Sequence, residues 1–391
     1  MIIINNIKIL KTKSAANLKL REEIKYSILT AMVILTFSIM TIHPDYYILG
    51  AKTGIKFCGN ILIPSVFPFI FLTSFIVKSG ISEKIGKVMS PIIKFLFYLP
   101  GCAGPTIILS FLGGYPIGAK GVKNLYEEKL INDEQSERML YFTVGAGPAF
   151  TISVVGVGIL KDYRAGFMIF LSQILSIILI GIFLGVRARI KKTCFYIPIL
   201  NEGGKRKNNL TESIIKSSYD ASISIVGMCA LIIIFCCLIS ITKYIGLEDI
   251  LSLILSKFHV PNNISKNILP IALEVTSACT QSINLNLPLE IISFAIGWAG
   301  LCIHFQIFSI IEGIKISYLK FILFRIIQGL ISFLITKVFI NYYTISALTF
   351  SNFQKIHSLP ASTSFLGSIS LLITCLCFII TIHKDSEYHR K

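Results

Sequence analysis

The chain has 391 residues, of which 54% are hydrophobic and 15% charged, and its mean hydropathy is +0.75. This composition excludes an ordinary soluble domain, because too few polar residues remain to cover the core, and it predicts a polytopic membrane protein. The net charge of +17 does not indicate nucleic-acid binding, since lysine and arginine lie in short loops between apolar runs. Most cysteines lie inside apolar runs without a CxxC pair, which favours buried hydrophobic roles over disulfides or metal ligands.

The chain opens with a basic segment, residues 1–25, which we expect to be cytoplasmic. The first apolar run, 26–42, is long enough to span and lacks a small-residue cleavage site after it, so it should remain as a signal anchor. A second span is predicted at about 57–77. Residues 78–98 then alternate lysines with apolar residues at helical spacing, which is typical of a helix lying in the membrane interface.

A broken apolar stretch follows, and it is the first candidate binding site. Ten residues separate Pro105 from Pro116, about half of the roughly 20 that a spanning helix needs. Glycines and prolines punctuate this stretch, which predicts a re-entrant hairpin over 99–119. Irregular backbone at that depth is tolerated only where protein or a watery cavity satisfies its polar groups.

The remaining elements repeat this order. We predict about eight transmembrane helices in all, an all-α fold. The further spans are expected at 139–160, 165–186, 221–242, 289–311, 321–340 and 366–383. A second interfacial helix is expected at 243–261 and a second, outer hairpin at 263–288. The predicted organisation is a first half (26–186), a basic cytoplasmic linker (187–220), a second half (221–340), and a loop, last span and cytoplasmic tail (341–391).

Charge sets the topology of this arrangement. A cytoplasmic N-terminus, with sides alternating at each span, leaves most lysines and arginines in cytoplasmic segments and both termini in the cytoplasm. The two hairpins then enter from opposite sides and face a shared cavity. Each half also contains a span broken by small residues, at Gly145-Ala-Gly-Pro148 and at Gly297-Trp-Ala-Gly300. The repeated order in opposite orientation predicts an inverted-topology repeat, the common design of secondary transporters.

Several polar residues at membrane depth allow two interpretations. Glu274 is either a substrate, proton or ion ligand, or a solvated or structurally hydrogen-bonded hairpin residue. His304 is either a proton relay or a packed histidine. Lys120 either meets a carboxylate substrate or snorkels to the interface, and Tyr115 either stacks on an aromatic ring or anchors the hairpin at the interface. Two glutamines inside spans are expected to hold helices together: Gln173 and Gln328.

An enzyme is not expected. The sequence has no GxxxxGK[ST], HExxH or GxSxG motif, and its six histidines are scattered, so neither a metal site nor a cofactor is predicted.

Three motifs resemble one family. They are Ser110-Phe-Leu-Gly-Gly-Tyr-Pro-Ile-Gly-Ala-Lys120, Asp133-Glu-Gln-Ser-Glu-Arg138 and Val144-Gly-Ala-Gly-Pro-Ala-Phe150. Together they resemble the YlbJ-like sporulation integral membrane proteins, which carry a "nucleoside recognition" or gate domain and are distantly similar to concentrative nucleoside transporters. The resemblance covers roughly residues 55–340.

The resemblance implies a role in spore formation, residence in the outer forespore membrane, and transport of dipicolinate, the spore-core dicarboxylate. In the nucleoside transporters both hairpins and both kinked spans surround the substrate, which implies sites at the matching positions here. The implied substrate-binding residues are Gly113, Gly114, Tyr115, Pro116, Gly118, Gly145, Gly147, Pro148, Phe150, Thr151, Thr276, Ser277 and Gln281. We expect Lys120 to aid recognition of the substrate, and Glu274 or His304 to couple protons or ions. The inner hairpin lacks the acidic residues of those transporters, which favours an anion held by backbone amides.

The sequence thus predicts a secondary transporter of a small organic anion in a lipid bilayer, coupled to protons or sodium and without a nucleic-acid partner. A nucleoside or other cation-coupled transporter is the first alternative. A non-transporting sporulation scaffold that recruits partners through 187–220 is the second. The coupling ion, the transport direction and whether the chain forms a homo-oligomer stay open at this point.

Overall fold

A computed structural model describes residues 44–191 and 209–347, together with isolated positions between 27 and 42. Every regular element in these ranges is a helix, so the all-α prediction is confirmed. The basic N-terminal segment, most of the predicted first span and the predicted last span with its tail lie outside the described residues. The chain divides into two compact units, Met1–Phe339 and Ile340–Lys391; the cavities described below belong to the first.

The first half is built of short helices interrupted at glycine and proline. Its α-helices are α1 (Pro44–Phe57), α2 (Ile63–Lys78), α3 (Ile81–Phe97), α4 (Ala103–Gly113), α5 (Tyr115–Glu127), α6 (Asp133–Phe142) and α7 (Tyr163–Ile190). Two π-helical segments complete it: the first π segment (Cys58–Leu62) joins α1 to α2, and the second π segment (Ala149–Leu160) precedes α7. A capping box starts α6, where Asn132 accepts from the Gln135 amide at 2.9 Å and so satisfies an otherwise unpaired donor.

The second half begins with the longest helix and ends with another long one. Its helices are α8 (Leu210–Tyr244), α9 (Leu247–Ser256), α10 (Asn262–Leu273), α11 (Val275–Asn284), α12 (Leu289–Trp298), α13 (Gly300–Ile310) and α14 (Tyr318–Ala347). Because α7 extends to Ile190 and α8 begins at Leu210, both helices reach into the segment predicted as a linker.

The order of elements is the same in both halves. A long or bent helix (α2, α8) is followed by a helix with an exposed apolar face (α3, α9), a helix pair broken at one residue (α4–α5, α10–α11), a second broken pair, and a long helix (α7, α14). The apolar faces of α3 and α9 expose Val88, Phe95 and Leu253, among others. Such faces on amphipathic helices are typical of the membrane interface.

Within the part of the chain that the structure describes, four stretches are long and apolar enough to cross a membrane: Tyr163–Ile190, Leu210–Tyr244, Leu289–Ile310 and Tyr318–Tyr342. A fifth results if Pro44–Leu62 and Val66–Lys78, bent by 55°, count as one span. The predicted span at 139–160 is interrupted at its small residues, as predicted: α6 ends at Phe142, and regular structure resumes at Ala149. Gly145, Gly147 and Pro148 lie in the gap, where backbone freedom and a missing N–H disfavour a continuous helix.

Buried polar side chains join the long helices, as predicted for the two glutamines. The Gln173 amide on α7 donates to Ser293 O at 2.9 Å and to Ser332 Oγ at 2.6 Å. Gln328 donates to Gln173 Oε1 at 3.3 Å, which connects α7, α12 and α14. Hydrogen bonds between apolar helices of this kind are worth about 1 kcal/mol each.

Candidate functional site

The two broken helix pairs α4–α5 and α10–α11 meet at one cavity. It leaves about 60 Å³ for the centres of water-sized molecules, which is room for several waters. Its walls come from both halves of the chain and are mostly apolar. The lining residues are Phe57, Ile61, Leu62, Val66, Gly113, Gly114, Tyr115, Pro116, Gly147, Ala149, Phe150, Ile232, Glu274, Val275, Thr276, Ile303 and Gln306.

Gly114 forms the tip of the inner pair, between α4 and α5. Its φ of 93° and ψ of −172° lie in a region that essentially only glycine adopts. No side chain caps the start of α5, and Pro116 in its first turn has no N–H to satisfy. The Ile117 amide donates to the Gly114 carbonyl at 3.1 Å, and the positive end of the α5 dipole lies beside the cavity without a capping carboxylate.

Gly147, in the gap between α6 and the second π segment, packs directly on this tip. A Cβ atom built on Gly147 would lie 2.8 Å from both Gly114 N and Leu112 O. These are backbone atoms, which cannot move aside as a flexible side chain does. The first break and the inner tip therefore fit together only because residue 147 is glycine.

Glu274 forms the tip of the outer pair, between α10 and α11. Its side-chain oxygens accept from the Thr276 amide at 2.8 Å and the Ser277 amide at 2.7 Å, and the residue is only 5% exposed. The carboxylate is thus the N-cap of α11, a favourable place for a negative charge. Glu274 has a structural hydrogen-bonding role and also lines the cavity.

Tyr115 connects the inner tip to the second half. Its hydroxyl donates to the carbonyl of Ile296 at 2.6 Å, in the last turn of α12. This helix ends at Trp298 and is followed by Ala299, whose φ is 73°, so its final carbonyls lack partners within the helix. The Tyr115 ring lies 6.5 Å from the Phe150 ring, centre to centre, and both rings line the cavity.

Eight of the predicted site residues line this cavity: Gly113, Gly114, Tyr115, Pro116, Gly147, Phe150, Glu274 and Thr276. Six others support its walls or lie farther away: Gly118, Gly145, Pro148, Thr151, Ser277 and Gln281. Thr151, for example, donates to Gly147 O at 3.0 Å. Gln281 donates to Glu248 Oε2 at 2.9 Å and so binds α11 to α9.

His304 and Lys120 also lie outside the cavity lining. His304 is 1% exposed; its Nδ1 lies 2.5 Å from the Gly300 carbonyl, and its ring is 4.5 Å from Trp298. This contact makes Nδ1 the donor, while Nε2 has no partner among the described residues. Lys120 lies 3.9 Å from Asp220 beside a second cavity. Burial lowers the pKa of Lys120, and the Asp220 carboxylate acts in the opposite direction.

Arg325, which the sequence reasoning did not select, is fully buried on α14. Its guanidinium donates to the carbonyls of Tyr141 and Val144 and lies 5.5 Å from the Phe321 ring. No carboxylate pairs with it among the described residues. Arg325 therefore fixes the start of the first break by donating to the carbonyls of Tyr141 and Val144. The sequence does contain a signal for Arg325: an arginine inside an apolar span is costly in a membrane and therefore indicates a structural or functional role.

Comparison with known proteins agrees with the motif resemblance. Residues 61–190 match the family described as "Gate: Nucleoside recognition", a range that includes the inner pair and the first break. The chain is also 23% identical to the sporulation integral membrane protein YlbJ of Bacillus subtilis (strain 168) over 371 residues. That alignment covers 87% of this chain and 90% of the relative. No solved structure matches. The resemblance predicted from the motifs is confirmed, and with the apolar helices it supports an integral membrane protein.

Proposed function

From the similarity to a sporulation membrane protein and the match to a gate-domain family, we propose that the chain is a secondary transporter of a small organic anion. Dipicolinate, crossing the membrane around the forespore, is the substrate we favour. One observation carries the proposal: a single cavity is enclosed by the tips of both broken helix pairs and by the first break. Sites at broken helices between two structural repeats are typical of secondary transporters.

The two tips differ in a way that favours an anion. At α11 the first amides already bind the Glu274 carboxylate, whereas no side chain caps α5. Of the two equivalent positions at α5, Pro116 has no N–H and the Ile117 amide donates to the Gly114 carbonyl at 3.1 Å. A substrate carboxylate beside this uncapped end interacts with the positive end of the α5 dipole. The Tyr115 and Phe150 rings offer an apolar wall for a flat aromatic ring such as that of dipicolinate.

Glu274 supplies a way to couple transport to a cation. An anion bound at α5 shares the cavity with the Glu274 carboxylate, and two negative charges in an apolar site repel each other strongly. A proton or sodium ion bound at Glu274 removes this repulsion. Protonation also weakens the cap on α11, so the same event loosens the outer tip.

In this proposal the broken pairs are re-entrant hairpins that enter from opposite sides of an inverted repeat of about eight spans, with both termini cytoplasmic. The hairpins and broken helices move against the long helices and open the cavity to one side at a time. The matching order of elements in the two halves supports this arrangement.

A nucleoside is the second candidate substrate. The matching family is described by nucleoside recognition, and the same aromatic wall accepts a base. Glu274, the one carboxylate in the lining, is an acceptor suited to sugar hydroxyls.

Uptake by purified protein in liposomes tests the proposal. We expect labelled dipicolinate to accumulate under a proton or sodium gradient, and excess unlabelled dipicolinate, but not uridine, to compete. Competition by uridine alone would favour the nucleoside transporter. Absence of protein-dependent uptake of either compound would contradict a transport function.

A further inference from the structure

A second cavity lies beside the first. It leaves about 180 Å³ for the centres of water-sized molecules and lies between α5, α8 and α13. Its polar lining is formed by Lys120, Ser224, Gln306 and Ser309. Gln306 lines both cavities, so one residue lies at the boundary between them.

The Gln306 side chain makes a weak hydrogen bond that it can exchange for one to a ligand in either cavity. It is 2% exposed, and its amide nitrogen donates to Cys302 Sγ at 3.3 Å, although a thiol is a weak acceptor. Exchanging this bond for one to a carboxylate costs little. The side chain can therefore serve a ligand on either side of it.

The charges beside the second cavity are unbalanced. Asp220 forms an ion pair with Lys78 and also lies 3.9 Å from Lys120, so two cations share one carboxylate. The next charges along α5, Lys123 and Glu127, pair with each other at 3.3 Å. The group as a whole carries one excess positive charge, and the Lys120 side chain is only 13% exposed.

Gly227 on α8 lies at the exposed edge of this cavity. A Cβ atom built there meets no atom within 4 Å, although the residue lines the second cavity. By contrast, a Cβ on Gly297, in the second half's broken span, would lie 2.7 Å from the Gly329 backbone. Packing therefore requires glycine at 297 but not at 227, which is exposed at the edge of the cavity.

We propose that the second cavity is a separate site for a carboxylate-bearing anion, through which the substrate passes to or from the central cavity. Lys120 is the cation of this site. The anion passes Gln306 as it moves between the two cavities. The substrate assignment rests on the proposed transport function. The existence of a water-filled, positively charged site does not, because it is tested without transport.

The first experiment measures modification of a cysteine placed at Gly227. Gly227→Cys protein in sealed vesicles of each orientation is treated with anionic sulfonatoethyl and cationic trimethylammonioethyl methanethiosulfonate, and wild-type protein gives the background from native cysteines. We expect modification from one side of the membrane, about tenfold faster with the anionic reagent, as electrostatic steering predicts. In Gly227→Cys combined with Lys120→Gln this preference should disappear. Dipicolinate should slow the anionic reaction.

Labelling at the wild-type background rate would overturn the site, because a groove filled by lipid excludes both reagents. Equal rates with both reagents, a preference that Lys120→Gln leaves unchanged, or a lack of protection by dipicolinate would overturn it as well.

The second experiment compares uptake by Gly227→Leu and by Gly59→Leu. A Cβ at Gly59 also meets nothing within 4 Å, but Gly59 lies outside this cavity. We expect only Gly227→Leu to lose uptake. Failure of wild-type uptake contradicts the transport function alone, while the labelling result still decides the site.

Discussion

The hydroxyl of Tyr115 donates a 2.6 Å hydrogen bond to the carbonyl of Ile296, and these residues lie 181 positions apart in the chain. Tyr115 lies at the tip of the inner pair, and Ile296 lies in the last turn of α12, just before the break in the second half's span. The contact satisfies a carbonyl that the end of α12 leaves without a helical partner. It therefore ties the inner tip to the helix break that must move if the cavity opens.

Tyr115→Phe tests this tie. The substitution keeps the ring but leaves the buried Ile296 carbonyl without its donor, which costs about 1–3 kcal/mol. We expect a lower melting temperature in detergent and a reduced rate of dipicolinate uptake. Tyr163→Phe is the matched control, because Tyr163 is 59% exposed, and it should leave both quantities unchanged. Equal melting temperatures for the two variants would show that the contact does not stabilise the protein.

Gly147→Ala tests the fit between the first break and the inner tip. The added Cβ would lie 2.8 Å from Gly114 N, so one backbone segment must shift, at a cost of about 1–3 kcal/mol. We expect lower thermal stability and loss of uptake. Gly59→Ala adds the same atom where nothing lies within 4 Å and should behave as wild type. Uptake by Gly147→Ala at the wild-type rate would mean that the tip does not need this fit.

Glu274→Gln distinguishes the role of Glu274 as the N-cap of α11 from its proposed role in coupling transport to a proton gradient. The amide can still accept one backbone hydrogen bond at α11 but not both, which costs about 1 kcal/mol. Since glutamine does not ionise, uptake should lose its stimulation by a proton gradient while substrate binding persists. Binding is measured by equilibrium dialysis and stimulation by uptake at several imposed gradients. Glu290→Gln, in the first turn of α12, is the control. A gradient dependence that survives in Glu274→Gln would place coupling elsewhere.

Arg325→Met removes the donors that hold the carbonyls of Tyr141 and Val144. Charged hydrogen bonds contribute about 1.5–3 kcal/mol each, so we expect a sharp drop in folded protein recovered from membranes. Arg325→Lys keeps one donor and the charge and should recover part of the yield. Lys337→Met changes an exposed cation on the same helix and should have no effect. Normal yields of Arg325→Met would show that the break holds without the guanidinium.

Local chemistry accounts for what the sequence could predict. Glycine and proline at 145–148 break a helix whatever surrounds them, and this break was predicted and is present. The second break, between Gly297 and Gly300, was placed within two residues of the positive φ at Ala299. The sequence also predicts a role for Glu274, because a carboxylate in an apolar stretch is energetically costly in a membrane.

The residues that the sequence did not reveal depend on packing between distant helices. Arg325 binds carbonyls about 180 positions away, and its partners are backbone atoms that no side-chain pattern identifies. Gln306 borders both cavities only because α13 packs beside α5 and α8. Lys120, one of the predicted substrate-binding residues, lies between one and two helical turns beyond the tip, 3.9 Å from Asp220 on α8.

The central claim is that the cavity between the tips holds the transported anion, and filling that cavity tests it most directly. Labelled dipicolinate uptake is measured in liposomes containing wild-type or Ala149→Phe protein, since Ala149 lines the cavity and is partly exposed within it. We predict gradient-driven uptake by the wild type. The variant, recovered as a folded protein, should be no more active than empty liposomes. Wild-type uptake rates in Ala149→Phe, or no uptake by the wild type, would contradict the claim.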